Sequence, residues 1–360
     1  MEKDRNSNIE LLRIICICFV IVQHFCENSA LGGFSYAMQS GIINLVILRF
    51  VYSTARVAVN VFLIISGYFM INMNKRVIGK PLVLYIQMIC YNVLLYMIDV
   101  LINGGGTVKH LLKIIIIPQN YYVMLYITLY CISPFANKMV STLTKKQYKN
   151  LLFVLFVLFG VYSTGINTLL QVLGETNIVG AYTVSLTGTE RGFSIVGFAF
   201  MYFIGGYIKL HGLSMKLQTK ILCLISSVVI TTLISVGIPN ISGVMMNYDS
   251  IFIIVQATLL FSIFLDINIK SKAVNFIAKS TFGVFLLHYS VLKQVTRALN
   301  MKEMCSGTIF SLILCLVGSI IGTYVVCVCV DIILRFIVYP LKRRLISSWI
   351  WGIAITSLDK

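Results

Sequence analysis

A chain of 360 residues with 58% hydrophobic and only 11% charged side chains cannot build a water-facing surface. Ordinary soluble domains carry about 25% charged residues. The solvent is therefore lipid, and the net charge of +17 has to be read in that setting. At about 20 apolar residues per span, the length accommodates roughly ten helices and leaves no room for a large soluble domain. The expected fold is all-α: a polytopic membrane protein with a bundle of about ten transmembrane helices.

Apolar runs divided by polar breaks predict spans near 9–28, 44–72, 82–103, 120–137, 150–170, 192–210, 220–239, 249–267, 281–300 and 308–336. Lys3 and Arg5 precede the first run, but no small-x-small cleavage site follows it, so it reads as a retained first helix. Ser7 and Glu10, three apart, form a capping-box pattern at its start. The short run 111–117, interrupted by Lys113 and followed by Pro118, suits an interfacial or re-entrant piece. Span 281–300 meets Lys293 and Arg297 and is expected to be tilted or partly aqueous. Residues 346–360, with Trp349 and Trp351 after Lys342, Arg343 and Arg344, are too short to span and are expected at the inner interface. The domain plan is thus a transmembrane unit over 1–345 and an interfacial tail over 346–360.

With the N-terminus inside, the outer segments hold only Arg49, Arg56, Lys109, Lys113, Arg191, Lys293, Arg297 and Lys302 of the 29 basic residues. Cytoplasmic loops carry the Lys/Arg excess, so both termini are expected in the cytoplasm and the chain in the cell (cytoplasmic, or inner) membrane. Orientation and contact with the headgroups of the lipid bilayer account for most of the basic charge. No nucleic-acid-binding module is present, so no nucleic-acid partner is expected. Eight of the ten cysteines lie inside apolar runs, as small core residues do, and no Cys/His spacing suits zinc. No metal is expected.

An ionisable side chain at span depth costs roughly 2.5–3.5 kcal/mol on insertion scales, so such residues mark cavities or partners. In the first helix Arg13 and His24 are eleven positions apart. At 100° per residue they fall about 20° from alignment, with about 16 Å between them along the axis. They share a face but serve different parts of one long ligand. Snorkelling to headgroups for Arg13 and an interfacial hydrogen bond for His24 are the structural alternatives. The second span contains Asn60 and the pair Ser66 and Gly67, where helix packing competes with a binding role. Arg76 and Lys80 follow in an inner loop suited to phosphate or lipid headgroups. Glu190 and Arg191 open the sixth span and His288 lies in an apolar setting in the ninth, where a local ion pair and a structural histidine compete with binding roles. Asp99 and Asp331, near helix ends, are expected to reach water.

Together these residues resemble the acyltransferase 3 family of membrane acyltransferases. Its first-helix pattern, a basic residue and a histidine with ten residues between them, fits Arg13 and His24. Its F-x-x-x-S-G-Y/F signature is matched by Phe62, Ser66, Gly67 and Tyr68. A late Y-L-x-H-like element is similar to the FLLH run ending at His288, and the stretch from Phe203 to Tyr207 looks like the family's middle helix. The chain departs from the family's arginine-rich inner loop, where it has Lys75, Arg76 and Lys80, and from its tryptophan-bearing helix, where it has Tyr121, Tyr122 and Tyr126.

The resemblance implies O-acyl transfer, with acetyl-CoA or another acyl-CoA as donor substrate, no bound cofactor, and a cell-surface or lipid-linked glycan as acceptor. His24 is then the expected general base. Arg13, helped by Arg76 and Lys80, would bind the donor's phosphate or pantetheine part. Asn60, Ser66, Tyr68, Tyr126 and Arg191 would complete the binding set, with His288 in reserve for acid/base or oxyanion work. Direct transfer and an acyl-histidine intermediate both remain open, and a transporter or flippase of lipid-linked glycans is the competing class.

Overall fold

The computed structural model describes residues 6–27, 30–73, 75–175, 190–346 and 354–356. Lys3, Arg5, Trp349 and Trp351 lie outside the described residues. In chain order the helices are α1 (Ser7–Cys26), α2 (Gly33–Ser40), α3 (Ile42–Ala55), α4 (Ala58–Met70), α5 (Gly79–Asn103), α6 (Val108–Ile116), α7 (Tyr121–Ser141), α8 (Lys145–Phe156) and α9 (Ser163–Leu173). They continue as α10 (Ile195–His211), α11 (Leu217–Gly237), α12 (Ser242–Met245), α13 (Ile251–Asp266), α14 (Lys272–Ile277), α15 (Thr281–Ala298), α16 (Met301–Cys305) and α17 (Ile309–Ile346). The described strands are β1 (Lys75–Val77) and β2 (Ala354–Thr356), which pair antiparallel and bring the end of the chain back to the loop after α4.

Among the described residues, seven helical segments are long and apolar enough to cross a membrane, and α10 and α13 are shorter apolar helices. The protein is an all-α, multi-pass membrane protein. Helix α1 is the most enclosed of the seven segments, and its apolar side chains Leu12, Ile17, Ile21 and Phe25 are inaccessible.

Helix α1 does not start with the expected capping box. Asn6 is the cap, its carboxamide accepting the Asn8 amide at 3.1 Å. Ser7 lies inside the first turn, where its hydroxyl accepts the Ser271 amide at 3.1 Å, and Glu10 pairs with Arg13. A neighbouring loop that needed an acceptor drew the hydroxyl away from its own helix. Asp331 likewise does not reach water. It is buried, accepts from the Tyr91 hydroxyl at 2.6 Å and from Arg335 Nε at 2.7 Å, and ties α5 to α17.

Pro134 removes the amide that would have bonded the Tyr130 carbonyl in α7. Ser133 Oγ donates to that carbonyl instead, at 2.8 Å. In hydrocarbon such a repair is obligatory, because no water can serve the freed oxygen.

The closest helix crossing joins α4 and α10. A Cβ on Gly67 would fall on the Tyr202 carbonyl oxygen, and one on Gly205 would fall on the Ile64 carbonyl oxygen. Two motif glycines therefore face each other's helix backbone, which is how membrane helices gain contact when water supplies no driving force between them. Alanine is normally the better helix former. Here Gly67→Ala should nonetheless lower the thermal unfolding temperature of the detergent-purified protein, and Gly67→Leu or Gly205→Leu should cost about 1–3 kcal/mol or more, the usual range for overpacking. An unchanged or raised unfolding temperature would show that the two backbones are not this close.

Candidate active site

A cavity of about 330 Å³ opens between α1, α4, α5, α7 and the start of α15. Arg13, Ser66, Tyr122, Tyr126, Lys279 and Phe285 contribute to its lining. Arg13 reaches it from α1 with its guanidinium 3.2 Å from the Glu10 carboxylate and its side chain 34% exposed. Ser66 projects from α4 one residue before the packing glycine. Its hydroxyl donates to the Phe62 carbonyl at 2.8 Å, which leaves its oxygen able to accept. Thus the sequence-predicted residues Arg13, Ser66 and Tyr126 share one hollow.

Towards the other end of α1, the His24 ring lies 5.1 Å from the His288 ring and meets the Tyr289 ring edge-on at 5.2 Å. His288 is buried, with Nδ1 2.7 Å from the Phe285 carbonyl. A carbonyl only accepts, so the ring proton of neutral His288 belongs on Nδ1. Its Nε2 is then an acceptor, buried and without a hydrogen-bond partner. Phe285 connects this pair to the cavity: its ring is 5.9 Å from His288 and 5.2 Å from Tyr122. The order along the bundle is therefore the Arg13 cavity, the Tyr122–Phe285 layer, His288 and then His24. His24 does not line the cavity that Arg13 lines.

A family model described as an acyltransferase domain matches residues 6–330, nearly the whole chain. The chain belongs to the acyltransferase 3 family. No curated protein and no solved structure matches it.

In this acyltransferase the surroundings of His24 include a polar network that sequence reasoning missed. Arg56 sits at the break between α3 and α4, buried, with Nε donating to the Met246 carbonyl at 2.7 Å. Its Nη1 donates to Gln23 Oε1 at 2.9 Å and approaches Glu27 at 3.3 Å. The guanidinium also stacks 4.1 Å over the Tyr248 ring, whose hydroxyl donates to Gln23 at 2.8 Å. Tyr52 completes the set by donating to Glu27 at 2.7 Å. The one available sequence signal was Glu27, three residues beyond His24 and on the same helical side; Arg56 read only as an outer-loop cation.

The remaining expected site residues lie elsewhere. Asn60 is buried and donates to the Tyr248 carbonyl at 2.8 Å, so it braces the Arg56 network and does not line the cavity. Tyr68 packs on Phe261 and under Lys209, whose ammonium is 4.8 Å from its ring, on the side of α4 away from Arg13. Arg191 is exposed in a left-handed turn, φ 60°, and its carbonyl accepts the Tyr248 amide. Lys80 is exposed on the first turn of α5.

Arg76 departs most from expectation. It is buried, and its guanidinium donates to Ser133 Oγ at 2.9 Å, the Met70 carbonyl at 3.0 Å, the Met73 carbonyl at 2.9 Å and the Lys75 carbonyl at 3.1 Å. Those acceptors close the C-terminal end of α4 and the proline repair in α7. A loop cation expected to meet phosphate is instead a brace, because the helix end offers more acceptors than the loop can satisfy. Arg76→Ala should therefore lower the unfolding temperature strongly, by the equivalent of about 3 kcal/mol given hydrogen bonds to a charged donor worth ~1.5–3 kcal/mol each. Lys80→Ala, measured in parallel, should unfold as the wild type does. A stable Arg76→Ala protein with weakened donor binding would reverse this assignment.

Proposed function

We propose that the protein moves an acetyl or other short acyl group from cytoplasmic acyl-CoA to a hydroxyl of a cell-surface or lipid-linked glycan, with His24 as general base. The observation that carries the reading is the placement of Arg13 in the inner cavity and of His24 against His288 on the same helix, α1. The proposed membrane is the cytoplasmic one, with both termini inside, in keeping with the concentration of Lys and Arg in the inner segments.

The cavity's volume, about 330 Å³, is near the lower end of small-ligand sites, about 300–1,000 Å³. It suits the pantetheine arm and acyl end of the donor, while the nucleotide remains at the inner surface. Arg13 and Lys279 supply cationic character to the hollow. The acyl thioester advances past Tyr122 and Phe285 towards the imidazoles. There the acceptor hydroxyl loses its proton to His24 as its oxygen bonds to the thioester carbonyl carbon. The tetrahedral adduct collapses by breaking the C–S bond, and the CoA thiolate recovers the proton from His24. His288, with its Nε2 an acceptor, is the neighbouring group able to orient His24 or exchange a proton with it.

The test uses protein purified in detergent, acetyl-CoA and an acceptor glycan, with CoA release and glycan acylation both measured. His24→Ala should reduce turnover about 10²–10⁴-fold, the range for losing a positioned acid/base group. Arg13→Ala should act mainly by raising KM for the donor. Near-normal turnover in both variants would sink the assignment, and glycan movement without CoA release would mark a transporter.

A further inference from the structure

On the proposed orientation, basic residues on the outer side run against the usual asymmetry and call for a reason. Two of them have one inside the protein: Arg56 anchors the network beside His24, and Arg49 stacks 4.2 Å over Phe34 and donates to Ser242 at 2.6 Å. Lys293, Arg297 and Lys302 are turned outward instead, although Lys293 sits over the Tyr289 ring and Arg297 donates to Gln294 at 3.4 Å. They gather at the end of α15 and the start of α16, all exposed, and line with Tyr36 an open hollow of about 560 Å³. Glu303 lines the same hollow, yet none of the three cations makes a salt bridge among the described residues.

The hollow is connected to the chemistry. The Lys293 ammonium lies 4.4 Å from the Tyr289 ring centroid, and Tyr289 is the ring that meets His24 edge-on. One aromatic ring thus separates an exposed cation from the imidazole. Lys293 and Arg297 also line a second hollow of about 650 Å³ between α5, α6 and α15, where Asp99, His110 and Gln294 add polar side chains. Tyr96 stacks flat on His110 at 4.9 Å beside them. Carboxylate, amide and imidazole groups next to a flat aromatic pair suit the alternating hydroxyls and C–H faces of sugars.

We propose that the acyl acceptor is an anionic glycan, its carboxylate or phosphate held by Lys293, Arg297 and Lys302 while the hydroxyl to be acylated rests at His24. The inference builds on the acyl-transfer reading of His24. Because one ring separates Lys293 from the imidazole, the charge belongs to the acylated sugar or to its immediate neighbour. Arg297 offers bidentate pairing to either anion, and the lysines act as point charges. Anionic lipid headgroups would also be drawn to these cations, but they would leave the polar second hollow, which shares Lys293 and Arg297, without an occupant.

The test titrates three probes, a uronate trisaccharide, a hexose phosphate and a neutral hexose trisaccharide, against the full chain in nanodiscs of zwitterionic lipid. The charged probes should bind about tenfold or more tighter than the neutral one, a difference of ~1.4 kcal/mol. That preference should shrink as salt is raised. It should vanish in the K293Q/R297Q/K302Q variant without a change in unfolding temperature, and persist in His24→Ala. Equal binding of charged and neutral probes overturns the proposal. So does an unaltered preference in the triple variant, or a cluster that retains anionic lipid while leaving glycan binding alone. The tighter charged probe separates carboxylate from phosphate. CoA release on the same preparations keeps the two readings apart. Unselective binding with His24-dependent release overturns the anionic acceptor alone, whereas selective binding without release overturns the transfer reading and with it the acceptor's role.

Discussion

A charge carried into a lipid-embedded bundle must be answered by the protein itself, since removing it from water uncompensated costs several kcal/mol. That constraint sorts the basic residues of this chain. Arg76 has carbonyls and a hydroxyl on every side, Arg56 has Glu27, Gln23 and a tyrosine face, and Lys220 has Asp266 at 2.6 Å. Each of these ties together segments that are distant in sequence. Arg13 differs from them: it pairs with Glu10 yet keeps a third of its side chain accessible, directed into a hollow of ligand size. The difference between an answered and an accessible guanidinium separates the bracing arginines from the one that faces a cavity.

The same economy governs the motif glycines. Gly67 and Gly205 bring α4 and α10 into backbone contact, which fixes the rotation of α4 about its own axis. Adjacent helical residues differ by about 100° in direction, so once Gly67 is held against α10, Ser66 is turned towards α7 and the cavity. The signature therefore combines a packing residue with a cavity residue. Tyr68, another 100° round, faces α13 and Lys209. Reading Ser66 and Tyr68 together as ligand contacts misses that residues two apart on a helix differ by about 160° in direction.

The apolar segments were legible because a lipid solvent leaves long apolar runs, and the ten predicted segments fall on helices or helix pairs; among the described residues seven helical segments are long and apolar enough to cross. The shared face of Arg13 and His24 was legible because helical geometry alone fixes it. Partner choice was not. The engagement of Arg76 with the end of α4, of Asn60 with Tyr248 and of Asp331 with Arg335 and Tyr91 depends on which helices are neighbours, and spacing along one chain segment does not carry that information. Ser7 was read as a cap for the same reason: the competing amide of Ser271 is over two hundred residues away. In residues 281–300, Lys293 and Arg297 line open hollows at the C-terminal part of α15.

Under the proposed transfer, the aromatic layer between the Arg13 cavity and the histidine pair gains a physical purpose. A thioester that met bulk water on both faces of the membrane would be open to hydrolysis, and a continuous channel would also conduct protons. Tyr122 and Phe285 border the inner hollow, and Tyr289 stands between His24 and Lys293 of the outer one. Excluding water from between them strengthens the electrostatic interactions of the reacting groups and suppresses side reactions. On the proposed route the thioester and the end of the pantetheine arm cross this layer, and the span of about 16 Å set by eleven residues of one helix is the reach that the arm has to cover.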